Sequence, residues 1–163
     1  MFGLSKQERL IDVLVRSTTG VMEGWYYEVG DISELGLNKA ATKEFLLEGE
    51  VLQIYIMGVA FKNKVGPNNG WATPQFFVKT VSDALSSIEI DKGFPPGAAS
   101  QYIFSRCSEI DNMSGEERGN NSHLLESAKR IAEHDSSVDV YDIVDVFDAI
   151  SKFMFDKMMS DLG

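Results

Sequence analysis

Val51-Leu52-Gln53-Ile54-Tyr55-Ile56-Met57-Gly58-Val59-Ala60-Phe61 is the longest nearly unbroken apolar run in the chain. Gln53 is its one strongly polar member, with Glu48 and Glu50 before it and Lys62 and Lys64 after it. A helix needs about twenty apolar residues to cross a bilayer, so this run is expected inside the protein rather than in lipid. Val, Ile and Tyr also suit a buried strand. The segment free of breakers runs from about Ala40 to Lys64, however, which is far longer than a usual strand. Phe45, Leu46, Leu52, Tyr55, Ile56 and Val59 recur at helical intervals. The run is therefore read as a central hydrophobic helix, closed at its ends by charge, around which amphipathic neighbours pack.

The flanking sequence supplies those neighbours. Ser5-Lys6-Gln7-Glu8 has capping-box spacing ahead of Leu10, Ile11, Leu14 and Val15. Val21, Met22, Trp25 and Tyr26 continue as a second short helix, with a strand through Trp25-Tyr26-Tyr27 as the alternative. Val65 to Gly70 is a loop, and Thr73 with Pro74 starts a helix carrying Phe77, Val78, Val81, Leu85 and Ile88. Asp91 to Gly97 stops it, and a further helix from about Ala98 presents Tyr102, Ile103, Cys107 and Ile110. Ser114 to Ser122 reads as the most polar loop. A helix over His123–His134 turns Leu124, Leu125, Ala128 and Ile131 inward. Asp135-Ser136-Ser137 then caps a last helix reaching about Ser160, with Ile143, Val144, Phe147, Ile150, Phe153, Met154 and Met158 on its core face. The expected fold is all-α: one domain over residues 1–163, a bundle of about five to seven helices. A chain of 163 residues that is 44% hydrophobic has enough apolar surface for one such core.

Charge narrows the function. The net charge is −10 and is unevenly placed. Residues 1–106 carry 12 acidic and 10 basic side chains, whereas residues 107–163 carry 13 and 5. Binding nucleic acid directly requires clustered Lys and Arg to neutralise phosphates, and an anionic membrane surface requires the same; neither is expected here. A single cysteine, Cys107, cannot form an internal disulfide, and no signal peptide follows Met1, so a cytoplasmic protein is expected.

The acidic third concentrates carboxylates where its last helix begins. Asp139, Asp142, Asp145 and Asp148 recur every third residue, with Glu133 and Asp135 just before them. On a helix this spacing sweeps across half the surface, and Asp142 and Asp145 share a face. Carboxylates near a helix N-terminus are also favoured by its dipole, so solvation alone is one reading. The functional reading is an acidic docking face for a cationic partner. No metal is expected, since neither a glycine-centred calcium loop nor a Glu-x-x-His motif is present. His123 and His134 are read as capping or surface residues, and Cys107 as a buried hydrophobe.

No nucleophile elbow, zinc-protease helix, phosphate loop or paired Cys-x-x-Cys occurs, so no enzyme and no cofactor are expected. The expectation is a small acidic inhibitor of the immunity type. It would bind a basic protein toxin, such as a nuclease, through Glu133, Asp135, Asp139, Asp142, Asp145 and Asp148. The alternative is a helical adaptor or homodimer that uses apolar surface for association, and an enzyme using scattered carboxylates ranks third.

Overall fold

A computed structural model describes residues 35–65 and 97–162, together with three isolated positions, Arg9, Asp12 and Arg16. The described residues contain five continuous helices: α1 (Lys39–Val65), α2 (Ala98–Asp111), α3 (Gly115–Gly119), α4 (Ser122–Ala132) and α5 (Val140–Leu162). Among the described residues there is no strand. Of the expected helix after Ser5 only Arg9, Asp12 and Arg16 are described, and all three are helical; the rest of it, the expected helices at Val21–Tyr26 and after Thr73, and the loop after Val65 lie outside the described residues.

α1 starts where the sequence supplies a cap. The Asn38 side-chain oxygen accepts the Ala41 N–H at 2.9 Å, satisfying one of the donors a helix start leaves open. The helix then runs unbroken through the apolar stretch. Residues 48–54 are all buried, which is nearly two turns with no side facing water. Glu48 and Glu50 were expected to close one end of the apolar run with charge. They are instead inside the protein, at 0% and 2% exposure, because the helix continues past them and neighbours cover them on every side.

α1 packs against α2, α4 and α5. Along one length Val51, Ile54, Met57 and Phe61 meet Ile103, Cys107 and Ile110 of α2 and Met154 and Met158 of α5. Along the other, Ala41, Phe45 and Leu52 meet Leu124, Ala128 and Ile131 of α4 and Ile143 and Phe147 of α5. Phe45 and Phe147 stack with ring centroids 5.2 Å apart. Each buried Val, Leu, Ile, Phe or Met side chain among them contributes roughly 1.5–3 kcal/mol of transfer free energy.

Ser114–Ser122, expected as a loop, contains α3. Ser114 accepts from the Glu117 N–H at 3.1 Å and Glu117 reaches back to the Ser114 N–H at 3.3 Å, a capping box that carries one turn. Arg118 then donates to the Asp111 carbonyl at 3.0 Å, capping the end of α2. The entry to α2 needs Gly97, whose φ of 80° is left-handed. α5 also starts later than expected. Asp139, rather than Asp135-Ser136-Ser137, accepts the Tyr141 N–H at 2.9 Å and opens the helix. Ile143, Phe147, Met154 and Met158 are buried as expected, but Phe153 is 67% exposed. It follows Lys152 on the solvent side of a helix that turns about 100° per residue.

Candidate functional site

The solvent face of α5 follows from its core face. With Ile143, Phe147, Met154 and Met158 inward, the helical rotation puts Asp142, Asp145, Ala149, Lys152, Phe153 and Asp156 outward, and all six are exposed. Tyr141, at 67% exposure, lies at one border of this face. Tyr141 and Phe153 are the two most exposed large hydrophobic residues of the described chain. Asp142, Asp145 and Asp156 have no ion pair or side-chain hydrogen bond among the described residues. Asp148 pairs with Lys152 at 2.9 Å and Asp161 with Lys157 at 3.3 Å. Each pair spans one helical turn and neutralises its own charge.

The six carboxylates expected as one docking set therefore divide. Asp142 and Asp145 have no cation among the described residues and share the exposed face. Asp148 is half-buried and paired. Asp139 caps α5. Asp135 is an anchor: it accepts the Asn38 N–H at 2.9 Å, the Ser137 N–H at 3.1 Å and the Ser137 hydroxyl at 2.6 Å. The Ser137 hydroxyl and the N–H groups of Asn38 and Ser137 hold the Asp135 carboxyl below its ordinary range. Glu133 is exposed at the end of α4. Asn38 also donates to the His134 carbonyl at 2.6 Å, so the start of α1 grips the corner that leads into α5.

A second cluster went unread in the sequence. Glu48 of α1 is fully buried beside Arg106 of α2, which is 1% exposed, at 3.6 Å. Ser127 of α4 donates to Glu48 at 2.8 Å and accepts from Arg106 at 3.2 Å. The Tyr102 hydroxyl donates to the other Glu48 oxygen, and Arg106 also reaches Glu109. Burial, followed by the bond to Glu48, pushes the Tyr102 phenol up. Glu44, one turn earlier on α1, sits 3.8 Å from His134. Burial and the nearby Glu48 raise the Glu44 carboxyl against the pull of His134 and Arg130. The network ties three helices together around the buried Glu48, Arg106 and Ser127, with Glu109 at its exposed edge.

His123 was expected at the surface or as a cap, and it is neither. Only 8% exposed, it lies on the inner side of α4 against Tyr55, with ring centroids 6.4 Å apart. Its Nδ1 has no partner among the described residues, and burial, with Arg118 and Arg106 nearby, lowers its affinity for a proton. Leu125, expected inward in its place, is half-buried. Cys107 is buried as expected, and burial pushes its thiol up to about 12. A thiol held protonated is a poor nucleophile. No group of three or more His, Cys, Asp or Glu among the described residues could hold a metal ion. None of the described helices is long and apolar enough to cross a membrane.

Comparison of the chain with protein-family models, curated proteins and solved structures returns no match.

Tyr141, Phe153 and Asp156 complete the α5 face and were absent from the expected site. Their signal was faint. Phe153 sits between Ile150 and Met154, where it reads as core unless the Asp142, Asp145 and Asp156 positions are used to fix the outward side.

Proposed function

We propose that this chain is a binding protein that docks a basic protein through the exposed face of α5 and neutralises it, in the manner of a cytoplasmic immunity or inhibitor protein. A toxin whose cationic surface otherwise holds phosphate, such as a nuclease, is the partner this chemistry fits best. The observation that carries the reading is the trio Asp142, Asp145 and Asp156: exposed carboxylates with no cation of their own among the described residues. In a chain of net charge −10 they offer unspent charge to a cationic surface. Tyr141 and Phe153 add exposed aromatic surface of the kind that anchors interfaces. In this reading α1 is the central scaffold, and the Asn38–Asp135 contact holds α5 in place. Self-association would use the same aromatics, but like charge on both copies opposes it.

The test is affinity capture from the native cell at low salt, followed by binding kinetics with the captured basic protein. Asp142→Asn with Asp145→Asn is expected to slow association about tenfold or more at low ionic strength and far less at high salt. Unchanged association by the double variant would remove α5 as the docking face.

A further inference from the structure

We infer that the α5 face selects arginine over lysine, so that its partner is a protein surface presenting spaced arginine side chains. This rests on the reading of α5 as a docking face for a basic protein and names the cation that the face is built for.

Carboxylates alone do not distinguish the two cations by much. The rings do. Tyr141 and Phe153 are each 67% exposed on the helix that carries the free carboxylates. Tyr141 is followed by Asp142 and, one turn on, by Asp145; Phe153 is followed by Asp156 at i+3. Residues three or four apart on a helix are surface neighbours. Each ring is thus beside a carboxylate with no cation of its own among the described residues. A guanidinium is flat, weakly hydrated and forked. It stacks on an aromatic face while its N–H groups bind a neighbouring carboxylate in two-pronged fashion. An ammonium is a compact, strongly hydrated point charge and cannot do both as well. The two ring–carboxylate units lie twelve residues apart, about 18 Å along the axis, at diagonally opposite ends of the exposed face. Lys152, next to Phe153 and one turn before Asp156, is already paired with Asp148 at 2.9 Å, which leaves the Asp145 and Asp156 carboxylates to a second cation. A partner helix or strand presenting arginines at that separation matches the charge and shape of both ends.

The probes are two alanine-based helical peptides of equal length and charge, one bearing arginines and the other lysines at the same positions. Binding to the full chain is titrated at low ionic strength. The arginine peptide is expected to bind tighter, by about two- to five-fold per engaged ring. Tyr141→Ala with Phe153→Ala should abolish that difference, and Tyr141→Phe, which keeps the ring, should preserve it. Asp142→Asn with Asp145→Asn should weaken both peptides. Equal affinity for the two peptides, or a preference that survives loss of both rings, overturns the arginine inference while leaving a basic-partner face intact. Failure of both peptides to bind overturns both. All of these side chains are exposed, and unaltered circular dichroism of each variant separates a binding effect from unfolding.

Discussion

At the scale of single residues, Glu48 and Arg106 are the two charged side chains buried together among the described residues. Neither charge is stable there alone. Removing one member of a buried pair strands the other without water, which costs about 3–5 kcal/mol, whereas replacing the whole set with apolar groups of similar shape is often neutral or better. Arg106→Met is therefore expected to destabilise the protein by about 3–5 kcal/mol in urea titration. Adding Glu48→Leu and Ser127→Ala to it should recover much of that loss. A triple variant no more stable than the single one would show that the network contributes net stability rather than helix register. His123 makes the matching case for pH. Its proton affinity is lowered in the folded state, chiefly by burial, so the unfolded chain binds the proton first. Stability then falls as pH drops below the ordinary histidine value of about 6.5, by at most about 1.4 kcal/mol per pH unit. The raised Glu44 carboxyl acts with the opposite sign: its contribution is present below about 4.5 and is lost as pH rises through its folded value. His123→Leu leaves Glu44 in place. The variant should lose less stability than the parent between about pH 7.5 and pH 5.5. Equal losses would mean that His123 does not titrate with folding.

At the scale of elements, what was legible in the sequence was whatever a helix decides for itself. The Val51–Phe61 run lies within a single helix, as its helical spacing requires. Ile103, Cys107 and Ile110 share the inner side of α2, as their spacing requires. The turn at Ser114 was equally local, set by the Ser114–Glu117 capping box, and was missed because the segment was read by its polarity alone. What was not legible depends on partners far away in the chain. Glu48 and Arg106 sit on different helices, and a sequence pattern places a lone Glu or Arg in water by default. Only the approach of α2 and α4 turns them into a buried set. The same holds for Asp135. From the sequence it belongs to an acidic patch, whereas its carboxylate is committed to Asn38 and Ser137. The candidate site was thus readable as a helix rich in carboxylates. Which of them are free, and which rings stand beside them, came only from the packing of α5.

At the scale of the whole molecule, α1 belongs to both apolar clusters, and the polar network joins it to α2 and α4 between them. Loss of either cluster should therefore remove α1, and with it the other. Phe45, 1% exposed and stacked on Phe147, is the sharpest place to test this. Phe45→Ala deletes a buried ring, at a cost of about 3–5 kcal/mol. The two tryptophans give an independent view, because Trp25 and Trp71 both lie outside the described residues. Far-ultraviolet circular dichroism reports the helices described above, while tryptophan fluorescence reports the rest of the chain. If the 163 residues form one cooperative domain, the two signals share one urea midpoint, and Phe45→Ala lowers both by the same amount. A tryptophan transition that stays in place while the circular dichroism midpoint falls would divide the chain into two folding units. The helices around α1 would then be one of those units, and the single-domain expectation would be lost.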